Sequence, residues 1–539
     1  MSASGITRRE LVCRGGLLSL LPALVRGGAA EAAEAAEAVT TAPAAAAGAG
    51  LRLGPEIYQS IGVRPFVNAR GTYTILTGST LLPEVRAAMG DASRHYVHLD
   101  ELAEAVGKRL AELTQAEWGM VTSGCAAALT HATAACVTGG NPDLHVRIPD
   151  LRGFPKDECI IPMHSRNVYD ASVRAVGVRV VDVSTEQELE AAFGARTALV
   201  YILAGPNADA GPLRTQALCE AAKKRGVPVL VDCAAEILTV PNVHLQLGAD
   251  LVTYSGGKCL RGPQAAGLLL GRKDLVKAAW VGSAPHHGFA RGFKVGKEEA
   301  MAMLAAVEAW TKRDYEAEIK LWAAWLDTIA RRLAPIAGVK SSLTPVEGLS
   351  NRMPLLQIRW DRAELGTTGE AVAKLLFDTT PRVSLFPARG KLDANETGLS
   401  IGPYMMAPGD EKIVAERLFA VLSKPQRVEE KPMAAPLIDV SGTWDVRIEY
   451  AASASNHRLD IRQRGNELDG THQGDFVSRD LSGTIDGDAV RVRSSWEHGD
   501  SLNYTFTGKV SGDSMTGELN LGEYLDARFS AKRHASGRA

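Results

Sequence analysis

Between Leu51 and Ser423 the chain alternates short β-branched, apolar runs with stretches of helical period, and this alternation restricts the fold more than any other feature. The runs include Glu158–Met163, Gly177–Val183, Ala198–Leu203, Val227–Asp232, Leu251–Tyr254 and Ala266–Leu270. Between several of them lie amphipathic stretches such as Gln187–Phe193 and Leu213–Arg225. Strands that are apolar along their whole length are buried on both faces, so the pattern predicts a mostly parallel sheet covered by helices on both sides. A long helical stretch, roughly Gly296 to Leu333, leads into a smaller α+β region with strands near Leu355–Trp360 and Leu399–Gly402. The expected α/β unit thus has a large lobe, residues 51–295, and a small lobe opened by a long helix, residues 296–424.

The pattern changes after Lys424. Residues 425–436 form a charged, proline-containing linker, and residues 437–534 read as strands alone. These are Gly442–Tyr450, His457–Gln463, Glu467–Gln473, Asp480–Ile485, Ala489–Ser495, Asn503–Lys509, Met515–Leu521 and Ala527–Lys532, parted by turns such as Arg464-Gly465-Asn466 and Asp486-Gly487-Asp488. Eight alternating strands at this spacing predict an antiparallel meander that closes as a small barrel. It is either a structural appendage or a ligand-binding barrel.

The N-terminus carries a different signal. Thr7-Arg8-Arg9-Glu10-Leu11 sets two arginines ahead of a modestly apolar run, Gly15 to Val25, with small residues from Gly27 to Ala33. That is the layout of a bacterial twin-arginine (Tat) export signal with a cleavage region; the alternative is an apolar tail with a chance Arg-Arg pair. Residues 1–50 are read as this signal plus an Ala-rich tether, and the mature protein is expected to be periplasmic or extracellular. No later apolar run is long enough to span a bilayer, so no membrane association is expected once the signal is cleaved.

A formal net charge of −2 gives no electrostatic reason to expect a nucleic-acid partner. Of seven cysteines, Cys13 lies in the signal and the others fall within the large lobe. They show neither a CxxC pair nor Cys/His metal spacing, so neither a disulfide framework nor a metal site is expected.

Three local features carry chemistry. Thr122-Ser123-Gly124-Cys125-Ala126-Ala127 follows an apolar run and opens a helical stretch, where small residues let backbone amides approach an oxyanion. Asp232 ends the strand Val227–Val231, at the edge where α/β ligand sites form. Tyr254-Ser255-Gly256-Gly257-Lys258 ends another strand with a glycine turn and a lysine, and a partly desolvated lysine amine forms imines readily. The first two have a bland reading alone, as an N-cap and a capping Asp. Together and in this order they indicate a pyridoxal-5′-phosphate (PLP) site. Lys258 would carry the cofactor as a Schiff base, Asp232 would hold its pyridine nitrogen protonated, and Ser255 would reach the phosphate.

Several further stretches carry a family resemblance. They are Gly62-Val63-Arg64-Pro65 to Asn68, Gly71-Thr72-Tyr73-Thr74, His98-Leu99-Asp100-Glu101-Leu102, Arg166-Asn167-Val168-Tyr169-Asp170, Ser255–Lys258, Gly262-Pro263-Gln264-Ala265 and Lys294–Glu299. Through them the chain, from about residue 55 to 423, resembles the selenocysteine-synthase-like family of fold-type-I PLP enzymes, especially the D-glucosaminate-6-phosphate ammonia-lyase-like proteins. The resemblance implies the aspartate-aminotransferase-like fold, a homodimer or larger homo-oligomer, and a phosphate site around Ser123, Gly124, Cys125 and Ser255. His164 is implied either to stack on the cofactor ring or to be an ordinary core or surface histidine. Arg166, Asn167 and Tyr169 are weaker pocket candidates. His286, His287 and Arg291 either bind a substrate carboxylate or phosphate or form a solvated loop. Arg261 stands where the family usually has a small residue; it would recognise an acidic substrate group or face a neighbouring subunit.

With PLP bound, Lys258 is the natural base for the substrate Cα proton. The leading expectation is α,β-elimination, of ammonia-lyase type, on a small amino acid or amino sugar acid. Aminotransferase or racemase chemistry would use the same Lys258 and Asp232. A selenium transferase acting on seryl-tRNA is a further alternative, against which charge and export speak, and an exported PLP-binding protein without turnover is the last.

Overall fold

The computed structural model describes residues 50–388, 392–393, 395–426, 432–495 and 502–534. The segment read as an export signal, most of the expected tether, and residues 427–431 of the linker lie outside the described residues. Two units are distinguished, Met1–Pro65 and Phe66–Ala539. The described part of the first is a short segment that contains a 3-10 turn, Gln59–Ile61, with the Ser60 hydroxyl bonded to the Ile57 carbonyl. All elements below belong to the second.

Among the described residues, seven strands form the central sheet: β1 (Trp118–Thr122), β2 (Glu158–Pro162), β3 (Arg179–Val183), β4 (Thr197–Leu203), β5 (Val229–Asp232), β6 (Leu251–Ser255) and β7 (Gly267–Gly271). Their order is β1-β7-β6-β5-β4-β2-β3. Pairing is parallel from β3 to β6, while β7 runs antiparallel to both its neighbours. All residues of β1, β2, β5 and β7 are buried, as a sheet covered on both faces requires. The helix α1 (Cys125–Thr138) is apolar around its whole circumference and almost completely buried, which makes it a core helix rather than an amphipathic surface one.

The helical stretch expected from Gly296 to Leu333 is two helices, α2 (Lys297–Trp310) and α3 (Tyr315–Leu333). Asp314 interrupts it: its carboxylate accepts the Ala317 amide at 2.9 Å and caps a new helix start. Arg313 between the helices turns inward, donating to the Cys259 carbonyl at 2.7 Å and pairing with Glu318. The small lobe then builds a four-stranded antiparallel sheet from β8 (Lys340–Thr344), β9 (Leu355–Asp361), β10 (Phe386–Pro387) and β11 (Glu396–Ile401), in the order β10-β11-β9-β8.

The C-terminal strands β12 (Gly442–Glu449), β13 (Ala454–Arg464), β14 (Glu467–Gln473), β15 (Ser478–Asp486), β16 (Ala489–Ser495), β17 (Asn503–Ser511), β18 (Ser514–Asn520) and β19 (Asp526–Arg533) form a closed antiparallel barrel. Each pairs with its successor, and β12 closes on β19. Alternate residues point inward, so Trp444, Leu459, Val492, Phe506 and Leu519 make a core separate from that of the α/β part.

Candidate functional site

A cavity of about 260 Å³ opens at the carboxyl ends of β5 and β6. Its walls include Gly124, Cys125 and Ala126 from the start of α1, Asp232 from β5, and Ser255 and Lys258 from the end of β6. Parallel pairing sets Asp232 beside Leu203 on one side and Thr253 on the other, so the strand edge itself fixes where the carboxylate stands.

The cavity wall at α1 depends on close backbone approach. Gly124 has φ 87°, which suits glycine, and a Cβ on Gly267 would stand 2.5 Å from the Gly124 carbonyl carbon and 2.7 Å from the Cys125 nitrogen. The amides of the first turn of any helix lack intrahelical partners, and here they border the cavity. The Lys258 turn is pinned in a similar way. Gly256 N–H bonds to the Ala266 carbonyl and Gly262 N–H to the Gly256 carbonyl, each at 2.8 Å, and a Cβ on Gly257 would meet Gln264 Cα at 2.8 Å.

Asp232 is buried. Its Oδ1 accepts the Ala234 amide at 3.0 Å and faces the Cys125 thiol at 3.5 Å, and its Oδ2 accepts the Tyr201 hydroxyl at 3.2 Å. Burial pushes the carboxyl above its ordinary range; the Ala234 amide and then the positive charge of Lys258 pull it back. The Cys125 thiol also bonds Thr253 Oγ1 at 3.1 Å, and burial holds it well above the usual thiol range. Tyr169 lines the cavity, half exposed, and its phenol is pushed up first by burial, then by Asp232 and by Glu523 on the barrel turn Gly522–Tyr524.

The structure therefore brings Gly124, Cys125, Asp232, Ser255, Lys258 and Tyr169 to one cavity. Ser123 precedes that wall without lining it. His164 bonds the Leu213 carbonyl and Ser165 Oγ. Arg166 is committed to Asp170 and Asp182, and Asn167 caps the turn Val168–Asp170. Arg261, in the left-handed region at φ 52°, donates to the Thr80 carbonyl and hydroxyl. His286 lies in a different, apolar groove beside Trp280 and pairs with Asp100 at 3.2 Å. His287 is exposed, and Arg291 is exposed and donates to the Pro285 carbonyl. None of these last side chains lines the cavity; all but the exposed His287 are spent on a local turn, cap, carbonyl or ion pair.

The sequence reading did not single out Thr72, Tyr73, Thr74, Gln264 or Asn351, which also line the cavity. The first four lie in two of the resemblance stretches, which was the available signal. Spacing suggested no metal site, yet Cys233, Glu236 and His244 gather in the core with donor atoms within 4.8 Å of one another. Glu236 Oε2 and His244 Nε2 meet at 2.6 Å, a carboxylate–imidazole hydrogen bond that needs no ion.

A strand-end aspartate and a lysine behind a glycine turn share one cavity with a helix N-terminus. That combination defines a pyridoxal-phosphate pocket, and the donor set fits the group: amides and Ser255 for the phosphate, a buried carboxylate for the ring nitrogen, an amine for the aldehyde. The family model for Cys/Met metabolism PLP-dependent enzymes matches residues 90–281. The chain is 32% identical over 378 residues to 5′-C-glycyluridine monooxygenase-decarboxylase from Streptomyces sp, covering 68% of this chain and 92% of that one. It is 28% identical over 375 residues to D-glucosaminate-6-phosphate ammonia lyase from Salmonella typhimurium, covering 68% of this chain and 97% of that one. A solved structure of D-glucosaminate-6-phosphate ammonia-lyase superposes with a TM-score of 0.61 at 27% identity, covering 69% of this chain and 99% of that one. The chain belongs to the fold-type-I PLP-dependent enzymes, in the selenocysteine-synthase-like family that includes these ammonia-lyase-like proteins.

Proposed function

We propose that this enzyme carries out an α,β-elimination of ammonia-lyase type on an amino acid or amino sugar acid. The observation that carries the proposal is the shared cavity of Lys258, Asp232 and the α1 N-terminus, in a chain that spans 97% of the ammonia lyase it matches. When bound, PLP supplies an electron sink for charge developing at the substrate Cα. In this reading Lys258 would anchor the cofactor, and its amine, when free, would move the substrate Cα proton. Asp232 holds the ring nitrogen. The amides of Cys125 and Ala126 and the Ser255 hydroxyl would hold the phosphate, while the Cys125 thiol is turned to Asp232 and Thr253 instead. Tyr73 and Tyr169 at the cavity wall orient the substrate.

Borohydride reduction of the holoenzyme should fix PLP to Lys258, and Lys258→Ala should abolish both that labelling and turnover. Ammonia and keto acid released in equal amounts, with no amino acceptor added, would support elimination. Keto acid that appears only with an acceptor would replace it with transamination. A second reading follows from the match to a monooxygenase-decarboxylase, which is the more identical of the two relatives: oxidative decarboxylation of an amino acid. Oxygen uptake with carbon dioxide release, in place of ammonia, would select it. The twin-arginine stretch Thr7–Leu11 supports export, which fractionation of cells carrying an Arg8→Lys/Arg9→Lys chain tests.

A further inference from the structure

The Asp232 carboxylate stands at the end of a hydrogen-bond chain whose direction is fixed at every link. Asn167 begins it. Its side-chain oxygen accepts the Tyr169 amide at 2.7 Å, and its Nδ2 donates to the Ser165 carbonyl at 2.7 Å, so the amide has one orientation that satisfies both ends. The same Nδ2 donates to the Tyr201 hydroxyl oxygen at 3.1 Å. With that oxygen engaged as an acceptor, the Tyr201 proton points the other way, to Asp232 Oδ2 at 3.2 Å. Tyr201 is 0% exposed, on β4, and water does not compete for its hydroxyl. The turn that carries Asn167 is itself clamped: Asp170, buried, takes both Arg166 and Arg174, and Arg166 also pairs with Asp182.

We infer that Tyr201, oriented by Asn167, is a positioning residue that keeps Asp232 ionised and correctly rotated, so that the shared proton rests on the cofactor's ring nitrogen rather than on the carboxylate. This rests on the reading of Asp232 as the partner of that nitrogen. The physical need for such a device is visible in the surroundings. Asp232 is buried, and burial favours the neutral carboxylic acid, which would leave the ring nitrogen unprotonated and the electron sink weak. The groups facing the carboxylate are Cys125 from α1, Tyr201 from β4 and Lys258 beyond β6, with Cys233 and Tyr169 further off. Of these only Lys258 is cationic, and it is the group the cofactor engages. Once that charge is spent, the Ala234 amide, the Cys125 thiol and the Tyr201 hydroxyl are the donors left to favour the carboxylate, and of the side chains the hydroxyl is the nearer.

Removing the hydroxyl raises the carboxyl's basicity and moves the proton from ring nitrogen to carboxylate. No other bond is made or broken. Tyr201→Phe deletes the donor. Asn167→Asp puts an acceptor where a donor stood, so the Tyr201 proton is drawn away from Asp232 and the chain reverses.

The test is the ¹⁵N chemical shift of the ring nitrogen in holoenzyme reconstituted with ¹⁵N-labelled PLP, with Asp232→Asn as the reference variant. Both Tyr201→Phe and Asn167→Asp should move the signal toward that of an unprotonated pyridine nitrogen. Each should lower kcat by about tenfold or more while KM stays within about threefold. Melting temperature and borohydride-fixed PLP, measured alongside, show that the variants fold and load. If Asp232→Asn shifts the signal and the other two leave it at the wild-type value, the chain through Tyr201 has no role in protonation and the inference is overturned. A signal unchanged even in Asp232→Asn would overturn the assignment of Asp232 itself, and this inference with it.

Discussion

At the residue scale, two kinds of position build the site, and only one was readable in advance. Lys258 and Asp232 announce themselves because a charged residue at the end of an apolar strand is out of pattern. Tyr201 and Thr253 do not, since a tyrosine and a threonine inside buried strands are what strands ordinarily contain. Arg166, Asn167, Arg261, His286, His287 and Arg291 stand outside the cavity lining: polar clusters drew attention to them, and in this chain all but His287 make local caps, carbonyl bonds or ion pairs. Gly267 offers a residue-scale prediction, because its role is the absence of a side chain. Gly267→Ala sets a Cβ against the backbone of Gly124 and Cys125, and backbone cannot rotate away as a side chain can. The start of α1 must shift, so cofactor should be lost faster on dialysis than from the wild type, and the melting temperature of the holoenzyme should fall. An overpacked core position of this kind costs about 1–3 kcal/mol. A variant with wild-type retention of PLP and wild-type stability would show that the α1 contact is slack.

At the scale of elements, a mostly parallel sheet follows from alternation, while its strand order, the antiparallel β7 and the helix break at Thr311–Asp314 do not. Helical period continues through the break, and only the Asp314 cap and the inward Arg313 divide it. Asp314→Ala should therefore cost about 1 kcal/mol, the ordinary value of an N-cap, read as a lower melting temperature. The barrel contains a second element-scale feature that periodicity hid. His457 Nδ1 and His472 Nε2 meet at 2.8 Å inside it, and His472 Nδ1 meets Ser494 Oγ at 2.6 Å. Tyr504 packs on both rings, Arg479 is buried nearby, and Asp475 stands 3.5 Å from His457. Burial first, then the neighbouring His457 and Arg479, pulls His472 down from 6.5 to about 3. A folded-state value below the unfolded one means that the unfolded chain binds more protons between those limits. Stability contributed by neutral His472 is thus full above about pH 6.5 and is lost as pH falls toward 3, by a total on the order of 3–5 kcal/mol. Melting of the full chain between pH 7 and pH 4, wild type against His472→Gln, measures it. Equal acid sensitivity in the two would remove His472 as the source.

At the scale of the whole molecule, the α/β part and the barrel bury separate hydrophobic cores, and this has a thermodynamic consequence. A cooperative transition follows a shared core; two cores permit two transitions in one chain. Pyridoxal phosphate binds only native α/β structure, so it should raise only that part's transition, by an amount set by mass action on the native state. Protonation of His472 acts only on the barrel. Calorimetry of the full chain should accordingly resolve two transitions that respond to different variables. Removal of the cofactor should lower one, and acidification from pH 7 to pH 5 should lower the other more strongly. Glu523, on the turn before β19, lies within electrostatic reach of Tyr169 at the cavity wall. A single transition, lowered in one piece by both cofactor removal and acid, would mean that the barrel and the α/β part unfold together and that their separate cores do not set the cooperativity of this protein.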